Sequence, residues 1–439
     1  MVETIKQLPR WGVYILLAYM PFHIFLSQWL GTSVGGLSAW KIAKDVFTIG
    51  LFVCTAGLVL LKVPRKEWRP YTTLIILAGA YATLHLVLYL TNRETSLSVA
   101  ALASTYNNRF LWIFLVGIGA GLLLRTQPDK KVLIKFVLAV STLLCVLGLL
   151  QWFLPDDVLT HFGYDKALGV KPNFFINEDP AYPRVFATFR DPNSFGAYLI
   201  IPILLFVKLV QKKQTKNKLL LGGILALHLV VLYLSFSRAA WIGLVIGLGA
   251  LLIISQKERT WEVVKRFWPI FIMVLLVISF VVYTIRDTST FRSIVLKADD
   301  KNAPTELDSD EYHLHFMKEG ARKVIDQPIG HGPGTAGIVS IHNGAEGQLT
   351  ENYYVQVAHE VGIIGLVVFI VMWLLVIRML LNQESSLLST VLVASAAAYA
   401  VMGMVMHLWT NEAVAFGWWG LAGLTISFGN SHNKTPRNE

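Results

Sequence analysis

The stretch VLIKFVLAVSTLLCVLGLLQWF, residues 132–153, carries a single charge, Lys135. A run of about 20 apolar residues matches the thickness of a bilayer's hydrocarbon core, and inside it every backbone N–H and C=O needs an internal partner. Such a run must therefore be a helix. Runs of this kind recur along all 439 residues, at roughly 11–30, 41–62, 71–90, 109–124, 132–153, 195–211, 218–236, 238–255, 265–285, 355–379, 387–409 and 412–429. The fold expected is an all-α polytopic membrane protein with about 12 transmembrane helices. Only 15% of the residues are charged, against about a quarter in a soluble chain. The first run lacks a small-x-small cleavage pattern and reads as a retained span. Cys54 and Cys145 both sit in apolar runs, which suits packing better than a disulfide framework.

The net charge of +10 looks topological, and no nucleic acid is needed to explain it. Lys and Arg collect on cytoplasmic connections. Here they flank every second one: Lys6 and Arg10 at the start, 62–69, 125–131, 208–218, 257–266, Arg378, and Lys434 with Arg437 in the tail. Both termini then face the cytoplasm. Two long connections fall outside, 154–194 and a large loop of 286–354 between the ninth and tenth helices. The integral membrane domain is the whole chain, 1–439, and any chemistry belongs on its outer face, where there is no ATP supply. GHGPGTAG at 330–337 is accordingly read as a glycine-rich turn; it lacks the strand-then-helix setting of a nucleotide loop.

Several polar residues resist a purely structural reading. In FATFRDPNSFGAYL, Arg190 precedes a helix start at Pro192, with Asn193 or Ser194 as its cap. A headgroup-snorkelling arginine is the competing reading. In LSFSRAAWIGL, Arg238 sits in a very short outer connection, and a membrane-edge arginine is a functional candidate by default. The outer loop holds an amphipathic helix between His313 and Val324, with Arg322 near its end and Pro328 and glycines stopping it. The acidic pair at 299–300 and the run at 308–311 lack calcium-loop spacing and read as solvated surface. In QLTENYYVQVAHEVGIIGLVVF, Asn352, Gln356, His359 and Glu360 recur at helical spacing, just after Glu351. They are too polar to face lipid, so they should face the bundle interior, either as helix-joining glue or as a site. His23, His85, His228 and His407 are read as packing residues, and Lys41 and Asp45 as an i,i+4 ion pair.

Arginine forks bind phosphate in bidentate fashion. A carboxylate or imidazole can take a proton from an acceptor hydroxyl. Together they suit group transfer from a phosphate-linked lipid donor, with arginines neutralising the departing charge.

The four motifs TFRDPNSFGAYL, LSFSRAAWIGL, HLHFMKEGARKVIDQPIGHGPGTAG and ENYYVQVAHEVGIIGL lie in this order over residues 186–366. Together they resemble the O-antigen ligase/O-antigen polymerase superfamily of bacterial envelope glycan enzymes. The resemblance implies a glycosyltransferase of the cytoplasmic (inner) membrane, acting on its outer or periplasmic face. Its donor would be an undecaprenyl-pyrophosphate-linked glycan held in the membrane lipid, with no metal or other cofactor. It further implies a glycan flippase and a chain-length regulator as partners. It assigns donor-phosphate binding to Arg190, Arg238 and Arg322. The ligase branch carries a His-Asn pair where this chain has Glu351-Asn352; His342-Asn343 lies nine residues earlier. That departure favours a polysaccharide polymerase over a ligase to lipid, protein or wall acceptors. It makes Glu351 the candidate base, with His359 and His313 behind it, and leaves Asn352, Gln356, Glu360 and Asn193 in acceptor or supporting roles. A glycan flippase or transporter is the rival of another class, but no repeat relates the two halves.

Overall fold

The computed structural model describes residues 2–124, 130–176, 178–212, 217–255, 309–346, 350–383 and 386–429. The expected span at 265–285 and the acidic pair at 299–300 lie outside the described residues, as does the side chain of His313. The described chain is helical apart from a small antiparallel hairpin in the connection over 154–191, β1 (Phe175–Ile176) with β2 (Asp179–Pro183), pairing Phe175 with Pro183 and Ile176 with Asp179.

The helices are α1 (Val2–Tyr19), α2 (His23–Ser33), α3 (Leu37–Lys62), α4 (Thr72–Asn92), α5 (Leu97–Leu123), α6 (Lys130–Phe153), α7 (Pro192–Gln211), α8 (Lys218–Leu234), α9 (Arg238–Ser255), α10 (Ser309–Asp326), α11 (Tyr353–Leu381), α12 (Leu387–Met402) and α13 (Glu412–Gly429). Seven helical stretches among the described residues are long and apolar enough to cross a membrane, and α8 and α12 are shorter apolar helices. The multi-pass, all-helical reading therefore holds.

Three boundaries differ from expectation. The first span is interrupted at Met20–Phe22, where Pro21 introduces a turn of 3-10 helix between α1 and α2. The helix expected from 109 begins at Leu97, because Ser96 caps it by accepting from Val99 N (3.3 Å). Its polar first half, with Asn107, Asn108 and Arg109, hid it from a hydropathy reading, yet all three residues are buried. The helix expected over 387–409 stops at Met402, and residues 403–411 form turns and the short 3-10 helix Leu408–Thr410.

Arg109 is buried because it has a partner. It donates to Glu412 at the start of α13 (2.9 Å) and lies over the Tyr106 ring at 4.4 Å. Lys44 approaches Glu412 at 3.8 Å and pairs with Asp45 at 2.9 Å. This corrects the expected Lys41–Asp45 pair: Lys44 turns inward to the carboxylate, whereas Lys41 reaches the carbonyl of Leu168 (3.1 Å). Two cations and two carboxylates thus close a buried knot joining α3, α5 and α13.

Below the knot α5 and α13 run in parallel contact. A Cβ on Gly423 would fall 2.3 Å from the Phe114 carbonyl, and one on Gly117 would fall 2.9 Å from that of Gly420. Small residues allow this backbone approach in a membrane bundle. Around it Phe110, Phe114, Phe369, Trp373, Trp409, Trp418 and Trp419 form an aromatic core joining α5, α11 and α13. Removing one partner of a buried pair leaves a desolvated charge, at a cost of about 3–5 kcal/mol. Glu412→Gln is therefore expected to lower thermal stability in detergent sharply. An exposed change such as Lys62→Gln should leave the melting temperature within about 2 °C, because surface substitutions cost little.

Candidate functional site

One end of the bundle gathers most of the residues singled out from sequence, and the turn after α12 is its hub. Tyr353 N donates to Gly403 O (2.9 Å), Asn352 Nδ2 to Met404 O (2.9 Å) and the Tyr354 hydroxyl to Ala400 O (2.9 Å). The Tyr399 hydroxyl donates to Ala197 O in the second turn of α7 (3.1 Å). A Cβ on Gly243 of α9 would sit 2.6 Å from the Met402 sulfur, and one on Gly196 of α7 would sit 2.8 Å from Ala240. The N-termini of α7, α9 and α11 therefore lie together, around the C-terminal end of α12. Each N-terminus carries partial positive charge.

The side chains at that end follow from local capping. Asp191, rather than Asn193 or Ser194, caps α7: its carboxylate accepts from Ser194 N (2.8 Å) and from the Ser194 hydroxyl (2.7 Å). Arg190 precedes it, half-buried. Arg238 is the first residue of α9 and is half-buried too. Asn352 caps α11, with its Oδ1 accepting from Tyr354 N (2.9 Å) and Val355 N (3.0 Å). That places half-buried Glu351 directly at the helix mouth.

Three non-glycine residues here adopt left-handed backbone: Ala187 (φ 50°), Phe236 (φ 48°) and Glu351 (φ 49°). Such conformations are strained for residues with a Cβ and persist only where surroundings enforce them. The enforcing contacts are identifiable. Gln151 Oε1 accepts from both Phe186 N (3.0 Å) and Ala187 N (2.8 Å). Arg184 donates to the carbonyls of Ser235 (3.1 Å) and Phe236 (3.3 Å) and to Asn193 Oδ1 (3.0 Å). The cap of α11 holds Glu351. Each strained turn lies at, or within three residues of, one of the candidates Arg190, Arg238 and Glu351.

Arg184 is the residue that sequence reasoning missed. Its guanidinium joins the start of α7 to the α8–α9 turn and lies within electrostatic reach of Arg238. Burial pushes it down to about 10; Asp191 opposes that and Arg238 adds to it. It stays a cation at neutral pH. The only sequence signal was its position six residues before Arg190. Asn193 Oδ1 is one of its acceptors.

Deeper along α11 the polar stripe joins a second structure. The helix breaks at Val361 (φ −117°, ψ 15°) and Gly362 (φ 72°, ψ 175°). The carbonyls of His359 and Glu360 instead accept from His331 N (2.8 Å) and Gly332 N (2.9 Å), and Ile363 N donates to Pro328 O (2.9 Å). GHGPGTAG is thus the strand of backbone that completes a broken helix, a more specific role than a surface turn. The Glu360 carboxylate accepts from Gly334 N (2.8 Å) and from the Asn107 amide. Gln356 Oε1 meets His407 Nδ1 at 2.8 Å, so His407 belongs to this network and is more than a packing residue. His359 stacks on His331 with ring centroids 4.1 Å apart, and its Nδ1 lies 3.3 Å from the Thr335 hydroxyl. Gln356, His359 and Glu360 are all buried, and the described contacts make them the fastening of this loop.

Other candidates stand apart. Arg322 is exposed on α10. His342 is exposed, and its neighbour Asn343 reaches Glu94 O at the α4–α5 turn (3.5 Å), away from the α11 cap.

Residues 221–370 match the family model for O-antigen ligase. The match covers about a third of the chain and supports its resemblance to the O-antigen ligase/polymerase superfamily. No curated protein matches the chain. The matched segment runs from α8 through the break in α11, so it contains Arg238, Glu351 and the 330–337 loop; Arg184 and Arg190 lie before it. The loop dock tolerates no side chain at Gly362, where a Cβ would fall 2.2 Å from Ile329 O. Gly362→Ala should cost about 2 kcal/mol or more through clash and left-handed strain. Arg184→Ala, which strips a charged donor from three acceptors, should cost about 2–4 kcal/mol. Both are read by thermal unfolding in detergent.

Proposed function

We propose that the protein is a membrane glycosyltransferase that polymerises undecaprenyl-pyrophosphate-linked oligosaccharide on the outer face of the cytoplasmic membrane. In this reading twelve spans cross the bilayer, both termini are cytoplasmic, and the α7–α9–α11 end faces outward. The observation that carries it is the meeting of Arg184, Arg190, Arg238 and three helix N-termini at the end where Glu351 sits. Cationic groups and helix N-termini are what a diphosphate seeks.

The acceptor hydroxyl of a second lipid-linked unit attacks the anomeric carbon of the donor sugar. The C–O bond to pyrophosphate breaks, and undecaprenyl diphosphate leaves with the bonding pair. Glu351 takes the hydroxyl proton as the new glycosidic bond forms. Arg190 and Arg238 stabilise the negative charge that grows on the leaving group. Energy comes from the phosphoester bond of the donor, and no nucleotide is consumed. His359 has a supporting place through the loop, and Arg322 is assigned to contact with the incoming glycan on the solvent side.

A ligase that moves glycan to a lipid, protein or wall acceptor uses the same donor half-site. Glu351 in place of a histidine favours the polymerase. A transporter would use the broken helix for substrate, but the freed carbonyls of α11 are already occupied by the 331–332 backbone.

Purified protein with a cognate lipid-linked repeat unit should build a glycan ladder. Glu351→Gln and Arg238→Ala should each reduce it by about 100-fold or more while the proteins stay folded. Transfer to an added lipid or protein acceptor without a ladder would reassign the protein as a ligase. Donor left intact with every acceptor would defeat the enzymatic reading.

A further inference from the structure

Lys41 lies in the second turn of α3, whose N-terminus follows left-handed Gly36 with no side-chain cap. Lys44 takes the Asp45 carboxylate, so among the described residues no carboxylate forms an ion pair with Lys41. The ammonium has three donors, and one goes to Leu168 O at 3.1 Å.

That contact brings Lys41 to the segment that carries Arg190. The Tyr164 hydroxyl donates to Thr188 O (3.1 Å), and the Thr188 hydroxyl donates to Pro21 O (2.7 Å). These bonds tie the 164–170 loop, the turn before Arg190 and the start of α2 together. Lys41 and Arg190 come within electrostatic reach of each other, and both are half-buried.

The carboxylates around them are engaged elsewhere. Asp191 caps α7, and Asp165 accepts from Ala167 N (2.8 Å). Asp45 and Glu412 are held by Lys44 and Arg109. Among the described residues no ion pair reaches Arg190 either. Two half-buried cations within electrostatic reach of each other repel, and partial burial without a counter-charge adds to the cost. An anion between them removes both penalties.

We propose that Lys41 and Arg190 form a two-cation subsite for one phosphate of the donor's diphosphate, with Arg238 on the other phosphate. This rests on the donor reading above and adds Lys41, from outside the matched segment, as a binding residue. The shared chemistry is a lipid-borne phosphate. Its alternative source is the headgroup of an anionic phospholipid.

The test is equilibrium binding of radiolabelled undecaprenyl diphosphate to the full-length protein in neutral detergent, with phosphatidylglycerol as competitor. Lys41→Ala and Lys41→Gln should each weaken binding about tenfold, and Lys41→Arg should stay within about threefold, as expected for a charge-assisted phosphate contact. The Gln variant keeps a donor for Leu168 while removing the charge, so a purely structural role would spare it. Lys41→Ala with Arg190→Ala should weaken binding by less than the product of the single effects, since both hold one phosphate. Wild-type affinity in Lys41→Gln, with binding still lost in Arg238→Ala, would remove Lys41 from the site and leave the donor reading intact. Equal displacement by phosphatidylglycerol would make the subsite a headgroup site and overturn the assignment to the donor. No binding of undecaprenyl diphosphate by the wild type would overturn both readings.

Discussion

A helix that breaks inside an apolar bundle frees carbonyls and N–H groups, and each must find a partner there, because lipid offers none. In α11 the break falls at Val361–Gly362, and the partners come from the backbone of residues 328–332. That pairing fixes much else. It draws the segment after α10 in beside α11, presents Gly334 N to the Glu360 carboxylate, and stacks His331 on His359. The α4–α5 turn then grips the same loop, with Asn92 donating to Gly330 O and Thr95 to Pro333 O. The 328–334 segment is thereby built into the helical bundle.

The arginine-rich end uses the same logic with side chains in place of backbone. Ala187, Phe236 and Glu351 hold left-handed conformations that cost energy, and Gln151, Arg184 and Asn352 hold the turns that contain them. Strain of this kind fixes where a following side chain can go. It gives Arg190, Arg238 and Glu351 defined starting points on the ends of rigid helices, and electrostatic catalysis depends on such preorganisation. The buried knot of Lys44, Asp45, Arg109 and Glu412 carries no net charge, so the excess positive charge of the end is that of Arg184, Arg190, Arg238 and Lys41 over Asp191 and Glu351.

Much of this was legible in the residues. Apolar runs marked the helices, and the polar stripe of α11 correctly pointed inward. Arg190 and Arg238 stood out because charge at a membrane edge is expensive. Other features left weaker traces. The first half of α5 reads as a polar connection because its Asn107, Asn108 and Arg109 have partners or neighbours only in folded context. Lys41 and Lys44 have equally good local access to Asp45 by helical spacing and adjacency, and the choice between them is made by Glu412, 368 residues on from Lys44. Arg184 gave no motif of its own, since two of its three acceptors are main-chain carbonyls of the distant α8–α9 turn.

The sequence by itself determined that this chain is an all-helical membrane protein, because uninterrupted apolar runs leave the backbone no other way to satisfy its hydrogen bonds. It also determined which polar residues were too costly to be incidental. The tertiary structure decided which of those residues meet. It paired Arg109 with Glu412, freed Lys41 from Asp45, set Arg184 against the Phe236 turn and threaded 328–332 into the gap in α11. Those choices depend on distances between elements far apart in the chain, and helical periodicity reports only on neighbours three or four residues away.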